Sequence, residues 1–401
     1  MDVIRSMVAA FGSVLYTTLS TPLYLLPTRS RRRAEYILSR QASLASLVLG
    51  RLLPTLHPPY IDLSGKIALI TGANSGIGLS LSKSLALRGA TIYLACRNAS
   101  KAEFARLEIL HQQPSARDRV HILSLDTADL ASVHACASTL IAHLGAAKLD
   151  LLVHNAGIST PPAEPDGDEG SAFSPQGFEL VYATNFLGGF LLTHLLEQHL
   201  AEDARVVLTS SHAQYAGRFS GGFVNTVGSH GRERVVEAGF HCPPVRAAKA
   251  HGFEGCYANS KAMQCAFARL LQRRFDGVMG KGGKIADGTG RVVHVFSPGF
   301  TRTAIFGKIE GTSWAKDPMF KSLVATEGLF ATEVQQGAAT GLFLCGSQEE
   351  QVVGIGRGGA YWERMERRTG SANLLGDGVL QRLWERWEVD AGIEWPMKIY
   401  M

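Results

Sequence analysis

From Lys66 onward the chain alternates short apolar runs with segments of helical spacing, and this alternation restricts the fold more than any other feature. The runs are KIALIT (Lys66–Thr71), TIYLAC (Thr91–Cys96), RVHILSLD (Arg119–Asp126), LDLLVHNAG (Leu149–Gly157), ARVVLTSS (ending at Ser211) and GRVVHVFSPG (Gly290–Gly299). The last of these reads as the final strong strand. Helical patterns lie between them: one through Leu87, then KAEFARLEIL, ASVHACASTLIAHL, LVYATNFLGGFLLTHLL and Tyr257–Phe275. A strand that is apolar throughout is covered on both faces, and strands joined by right-handed helical crossovers form a parallel sheet. The expected fold class is therefore α/β, a doubly wound parallel sheet of the Rossmann kind, in one domain over residues 59–401. With 401 residues and 46% apolar content, the chain can fill such a core. Two long stretches without periodicity, Ile158–Gln176 and Ala213–Gly255, follow strands. They are expected at the carboxyl ends of the sheet, where ligands bind.

The turn TGANSGIG (Thr71–Gly78) joins the first run to its helix. Gly72 permits the tight turn, and Gly76 and Gly78 let backbone and helix approach a ligand closely. With Asn74, Ser75 and Ile77 they form a cradle at a helix N-terminus, whose free N–H groups suit a pyrophosphate. Arg97 follows the second run. An acidic residue there would accept hydrogen bonds from a ribose, whereas arginine suits a 2′-phosphate. The expected cofactor is therefore NADP(H), the plainer alternative being a solvated surface arginine. Asp126, at the end of the third run, is placed for the adenine amino group. Tyr257 and Lys261, one helical turn apart, project on one face. Ser211 lies 46 positions earlier, so the three make a proton-transfer site only if the fold closes that distance.

In this order the motifs resemble the short-chain dehydrogenase/reductase family, over about Pro59–Ile393. HNAG (His154–Gly157) is similar to its Asn-Asn-Ala-Gly element, with His154 in place of the first Asn; this implies that Asn155, Ala156 and Gly157 border the cofactor. TNFLGGFLLT supplies Asn185, VVLTSS supplies Ser211 and YANSK supplies Tyr257 and Lys261, together the family's catalytic tetrad. SPGFTRT resembles the segment that touches the nicotinamide, implying Pro298, Gly299, Thr301 and Thr303. The resemblance implies Tyr257 as general acid or base, Lys261⁺ favouring its phenolate, Ser211 holding the substrate oxygen, and Asn185 fixing a water on the path to Lys261. Plainer roles stand beside these: Ser211 as a strand-end cap, Ser210 as a turn residue, and Asn185 bonding backbone. YLACRN, LDTADLASV and LQRLWERWEVDAGI (Leu380–Ile393) are similar to the retinol dehydrogenase-like and WW-domain oxidoreductase-like branch. That branch implies lipophilic alcohols, aldehydes or ketones as substrates. Ile305, Phe306, Ile309, Trp314 and Phe320 would form an apolar lid, or else ordinary core.

Residues 1–58 read as a membrane anchor and basic linker. Met7–Leu26 carries no charge, and twenty residues rise about 30 Å as a helix, enough to span a bilayer. Arg29, Arg31, Arg32, Arg33 and Arg40 follow, opposed by Glu35, so the body of the chain is expected on the cytosolic side. The endoplasmic reticulum or lipid droplets are the expected membranes. A cleaved signal peptide and a helix packed on the protein are the alternatives. Ala42–Leu56, broken by Arg51 and Pro54, is expected to lie in the interface. Net charge is only +5 and the excess is local, which argues against a nucleic-acid partner. The six cysteines and thirteen histidines show no metal-ligand spacing, so no metal is expected.

The expected function is an NADP(H)-dependent oxidoreductase of retinoid, steroid or lipid-like carbonyls, with a homodimer as the compatible assembly. A tailoring ketoreductase of secondary metabolism and a non-catalytic NADP(H) sensor or scaffold are the rivals.

Overall fold

The computed structural model describes residues 27–159, 173–217, 223–227, 233–237, 254–277, 290–302, 330–354 and 356–396. Strands β1 (Ile67–Thr71), β2 (Thr91–Cys96), β3 (Val120–Ser124), β4 (Leu149–His154) and β5 (Leu200–Thr209) correspond to the first five apolar runs. Two short strands, β6 (Phe223–Val227) and β7 (Glu233–Glu237), pair antiparallel as a hairpin inside the stretch that sequence leaves irregular. β8 (Val292–Ser297) is not the last strand: β9 (Ala360–Glu363) and β10 (Glu366–Arg368) extend the sheet beyond it. The main sheet runs β10-β9-β8-β5-β4-β1-β2-β3. Every neighbouring pair is parallel except β9–β10. The chain order reverses between β1 and β4, the switch point at which doubly wound sheets open a crevice.

Alternate residues of each strand feed two cores. Ala68, Ile70, Ile92 and Leu94 face α2 (Gly76–Leu87) and α3 (Ala99–Gln112), with Ile77, Leu81, Leu85 and Ile109 packed on them. Leu69, Tyr93, Leu152 and Val206 face the other side. There they meet α4 (Leu130–Leu144), α5 (Gly188–Leu196) and α6 (Glu254–Phe275). The first side also receives α7 (Val334–Gly346). After the short α8 (Glu350–Val353), α9 (Asp377–Ala391) closes the second. Trp384, Trp387 and Trp395 interleave with Phe186, Phe190 and Phe267, and the Phe186–Trp387 ring centroids are 4.6 Å apart. Tyr182 Oη donates to Asp390 Oδ2 at 2.8 Å, tying this C-terminal block to the turn before α5.

Before the domain comes helix α1 (Thr28–Leu49). It packs on the sheet end through Tyr36, Ser39 and Ser43; Tyr36 Oη donates to the Tyr215 carbonyl, and Thr369 N donates to Ser39 Oγ at 3.0 Å. The Ala42–Leu56 stretch is thus half helix, half extended strap. Its Leu56 N–H donates to Gln336 Oε1 at 2.7 Å. Among the described residues no helix is long and apolar enough to cross a membrane; Met7–Leu26 lies outside them.

Candidate active site

The glycine turn holds its shape by contact with the fourth strand. Gly72 has φ +64°, and a Cβ on it would sit 2.8 Å from Ala156 Cα. A Cβ on Gly78 would sit 2.4 Å from Asn155 Nδ2. Thr71 Oγ1 accepts from the N–H groups of Asn155 (2.9 Å) and Ala156 (3.0 Å). Asn155 Nδ2 donates back to the Thr71 and Gly72 carbonyls at 3.1 and 3.2 Å. Asn155 is therefore a brace for the turn. Ser75, which precedes α2, makes no side-chain cap, so its hydroxyl leaves the helix's first N–H groups uncapped.

The turn opens into a crevice of about 410 Å³. One wall carries Gly72, Asn74, Ser75, Gly76 and Ile77; another carries Asn155, Ala156 and Gly157; the far end carries Ser211, Tyr257, Lys261, Pro298, Gly299 and Thr301. Gly78 packs beneath the turn, and Thr303 and the five apolar lid residues lie outside the described residues. Arg97 and Asp126 stand together at the opposite end, 3.6 Å apart, with Arg97 69% exposed. Asp126 Oδ1 also accepts from Ala128 N at 3.0 Å. Lys101 lines the same end and was not expected there. It lies on the first turn of α3, whose cap Asn98 accepts from Lys101 N at 2.8 Å, while Arg97 precedes the helix. A basic residue in the first turn of the helix after Arg97 is the signal by which sequence could have found it. A crevice with uncapped helix N–H groups midway and Arg97, Lys101 and Asp126 at one end fits a dinucleotide.

The far end brings the predicted proton-transfer residues together. β5 ends at Thr209, and Ser211 follows; Tyr257 is on the first turn of α6. Ser211 and Tyr257 line the same end of the crevice despite the long insertion between them, with the serine hydroxyl placed to favour the phenolate. Ser211 also caps the short helical turn His212–Ala216, accepting from Ala213 N at 3.2 Å, so its plainer role coexists with the expected one. Ser210 turns inward and donates to the Lys261 carbonyl at 2.9 Å. Lys261 Nζ donates to the Thr209 carbonyl at 2.9 Å and stands 5.6 Å from the Tyr257 ring centre.

Asn185 sits behind this wall, on a π-helical stretch (Ala183–Leu187) between one helical turn (Leu180–Tyr182) and α5. Such stretches recur at functional sites because they displace one side chain from the regular helical face. The Asn185 side chain grips backbone: Oδ1 accepts from Ile158 N at 2.8 Å, and Nδ2 donates to Ile158 O at 2.9 Å and Ser260 Oγ at 3.0 Å. Its own carbonyl accepts from Gln264 Nε2 at 2.9 Å. Gln264 and Ser260, both buried on the tyrosine helix, were not singled out by sequence, although their spacing from Lys261 places them on its flanks. His154, the departure from the family's Asn, is buried, and its Nε2 shares a hydrogen bond with Thr193 Oγ1 at 2.8 Å. It ties β4 to α5 and is kept neutral by burial, with its pKa down to about 4.

The electrostatics differ from the simple expectation. Burial raises the Tyr257 phenol above its ordinary value, opposed by the Ser211 hydrogen bond. Burial also lowers Lys261 to about 7. In the chain's own field, desolvation therefore outweighs the pull of the ammonium on the phenol.

A family model described as short chain dehydrogenase matches residues 66–222. Mouse retinol dehydrogenase 11 is 36% identical over 54% of this chain and 59% of its own length. Human retinol dehydrogenase 11 is 29% identical over 81% of this chain and 85% of its own. Bovine dehydrogenase/reductase SDR family member 13 is 32% identical over 83% of this chain and 74% of its own. Among solved structures, an uncharacterised Mycobacterium paratuberculosis protein is 25% identical with a TM-score of 0.53, covering 84% of this chain and 97% of that one. A short chain dehydrogenase from Shigella flexneri, complexed with NADP, shares the fold at TM-score 0.50 and 20% identity, covering 77% of this chain and all of that one. Likeness at this identity and span, on top of the sheet order and the turn, places the chain in the short-chain dehydrogenase/reductase family, an oxidoreductase related to the retinol dehydrogenases.

Proposed function

We propose that the protein is an NADP(H)-dependent oxidoreductase interconverting a lipophilic alcohol and its aldehyde or ketone, with Tyr257 as the proton-transferring group. The observation that carries this reading is the convergence of Ser211, Tyr257 and Lys261 at one end of a crevice whose other end is lined by Arg97, Lys101 and Asp126. The TGANSGIG turn and the α2 N-terminus would hold the pyrophosphate, and Arg97 and Lys101 the 2′-phosphate. The bound nicotinamide supplies the hydride.

The chain's own residues do the rest. Ser211 orients the substrate oxygen toward the Tyr257 hydroxyl. Tyr257 gives a proton to that oxygen during reduction and takes one during oxidation. Ser211 is buried and Tyr257 half-buried at the crevice wall, so their hydrogen bonds act in a lower dielectric than bulk solvent. Lys261, pinned by the Thr209 carbonyl, is poised near pH 7 to pass a proton to and from the site. Asn185 fixes the Ile158 backbone beside Gly157 at the crevice wall. The substrate class rests on the relatives' names, retinol dehydrogenases among them. Anchoring by Met7–Leu26, with the domain on the cytosolic side, belongs to the same reading.

Purified protein should consume NADPH with retinal or another hydrophobic aldehyde, and NADH much less. Tyr257→Phe should lose turnover while still binding NADPH. Full turnover in that variant would remove Tyr257 from the mechanism, and equal use of NADH would remove the 2′-phosphate assignment.

A further inference from the structure

Helix α1 presents two unlike faces. Tyr36, Ser39, Ser43, Ser46 and Gly50, spaced alternately three and four apart, turn toward the domain. On the outer side Ile37 is 49% exposed and Leu44 43%; Leu49, the last residue of the helix, and Leu52 beyond it are exposed as well. Arg29, Arg33 and Arg40, at i, i+4 and i+11, run down the flank of that face, and all three are exposed. The acid on the helix, Glu35, is already engaged by Arg31 at 2.9 Å.

We propose that this outer face of α1 docks in the plane of an anionic lipid surface, with Ile37 and Leu44 in the acyl boundary and Arg29, Arg33 and Arg40 among the headgroups. An apolar stripe bordered by arginines is the pattern of an interfacial helix, whereas an ordinary surface helix is polar on its outer side. The position in the chain fits. The twenty uncharged residues Met7–Leu26 end two residues before α1 begins. An anchor there delivers the helix to the bilayer surface, and the arginines match the negative cytosolic leaflet. The inference rests on the anchoring reading but not on the redox reading. It also fixes more than attachment, because α1 is bonded to the sheet end through Ser46–Glu363 and through the strap to Gln336. A docked α1 therefore holds the whole domain in one orientation to the membrane.

The test uses the full chain with Cys242→Ser, reconstituted into vesicles, since the cysteines among the described residues are all buried. An environment-sensitive fluorophore is placed at Leu44→Cys and, as control, at Gln112→Cys on the exposed end of α3. The Leu44 label should shift to the blue on phosphatidylserine vesicles and less on phosphatidylcholine alone, with the difference erased by high salt; the control should not move. Arg33→Gln with Arg40→Gln should lower the docked-to-undocked ratio by about thirtyfold, at the usual gain per basic residue near an anionic surface. A label at 44 that stays water-exposed on both vesicles overturns the proposal. So does one already shielded without lipid, whether by the chain's first residues (independent of concentration) or by a second copy (rising with concentration). Alkaline carbonate extraction separates this from anchoring: a protein washed off the vesicles fails the anchor, one retained with an exposed label fails only the docking.

Discussion

Replacing Lys261 by methionine gives a sharp reading of the site's electrostatics. Lys261 is 2% exposed, and burial takes its ammonium from 10.5 to about 7. That displacement corresponds to about 5 kcal/mol by which the charged form is disfavoured in the folded chain. Below pH 7 both folded and unfolded chains carry the proton, so the full cost is present. Between pH 7 and 10.5 the unfolded chain binds the proton and the folded chain does not, so parent stability rises with pH. Above 10.5 neither is charged and the cost is gone. Methionine removes this dependence but strands the Thr209 carbonyl, at a cost of about 1–3 kcal/mol. Lys261→Met should therefore be more stable than the parent at pH 6, by about 2–4 kcal/mol once that loss is subtracted. At pH 10 the advantage should be absent or reversed. Denaturant unfolding at several pH values measures the difference, and the variant should be inactive throughout. A stability gap that stays constant from pH 6 to 10 would refute the argument that desolvation governs this lysine.

Other parts of the structure make equally direct predictions. Gly78→Ala places a Cβ 2.4 Å from Asn155 Nδ2 and 2.5 Å from the Gly72 carbonyl; it should cost about 2–4 kcal/mol in thermal unfolding and weaken dinucleotide affinity with it. Arg97→Ala and Lys101→Ala together should reduce the NADPH-over-NADH preference by a factor of about 100 in kcat/KM, each charged hydrogen bond being worth about 1.5–3 kcal/mol and Arg97 being discounted for exposure. Glu363, buried beneath α1, has its carboxyl raised above its ordinary value by desolvation, so its stability contribution is present at acid pH and lost as pH rises through the folded value. Glu363→Gln should thus melt higher than the parent at pH 8 and no higher at pH 4; the opposite order would show that the carboxylate is well paired.

The strands that sequence identifies are those whose burial is written in their own residues. β1, β2, β4 and β8 are mostly apolar, each with at least four apolar residues, because helices cover both faces, and such a short run is legible as a strand. β9 is fully buried too, yet AYWE is short and ends in a glutamate whose burial depends on Ser46, more than three hundred positions away. The β6–β7 hairpin carries charges at its strand ends and no strong turn pair, so its pairing is invisible to a period-two search. The site divides in the same way. Gly72, Ser211 and Tyr257 announce themselves because the turn and the catalytic pair need particular residue types at particular offsets. The work of Asn185 does not, since its partners Ile158 and Ser260 come from a loop and a helix that meet only in the folded chain. The desolvation of Tyr257 and Lys261 is not legible in the sequence either, because a sequence displays neighbouring charge but not the water that folding removes.

The path from Ser211 to Tyr257 leaves the end of one strand and returns on a helix that is fixed independently, by Ser210, by the Lys261 carbonyl and by the aromatic block around Phe267. The positions of those two end points therefore do not depend on the length of what joins them. Selectivity and chemistry can then drift apart over generations. Descendants of this scaffold could exchange the segment between them wholesale while Ser211 and Tyr257 keep their places at the crevice end.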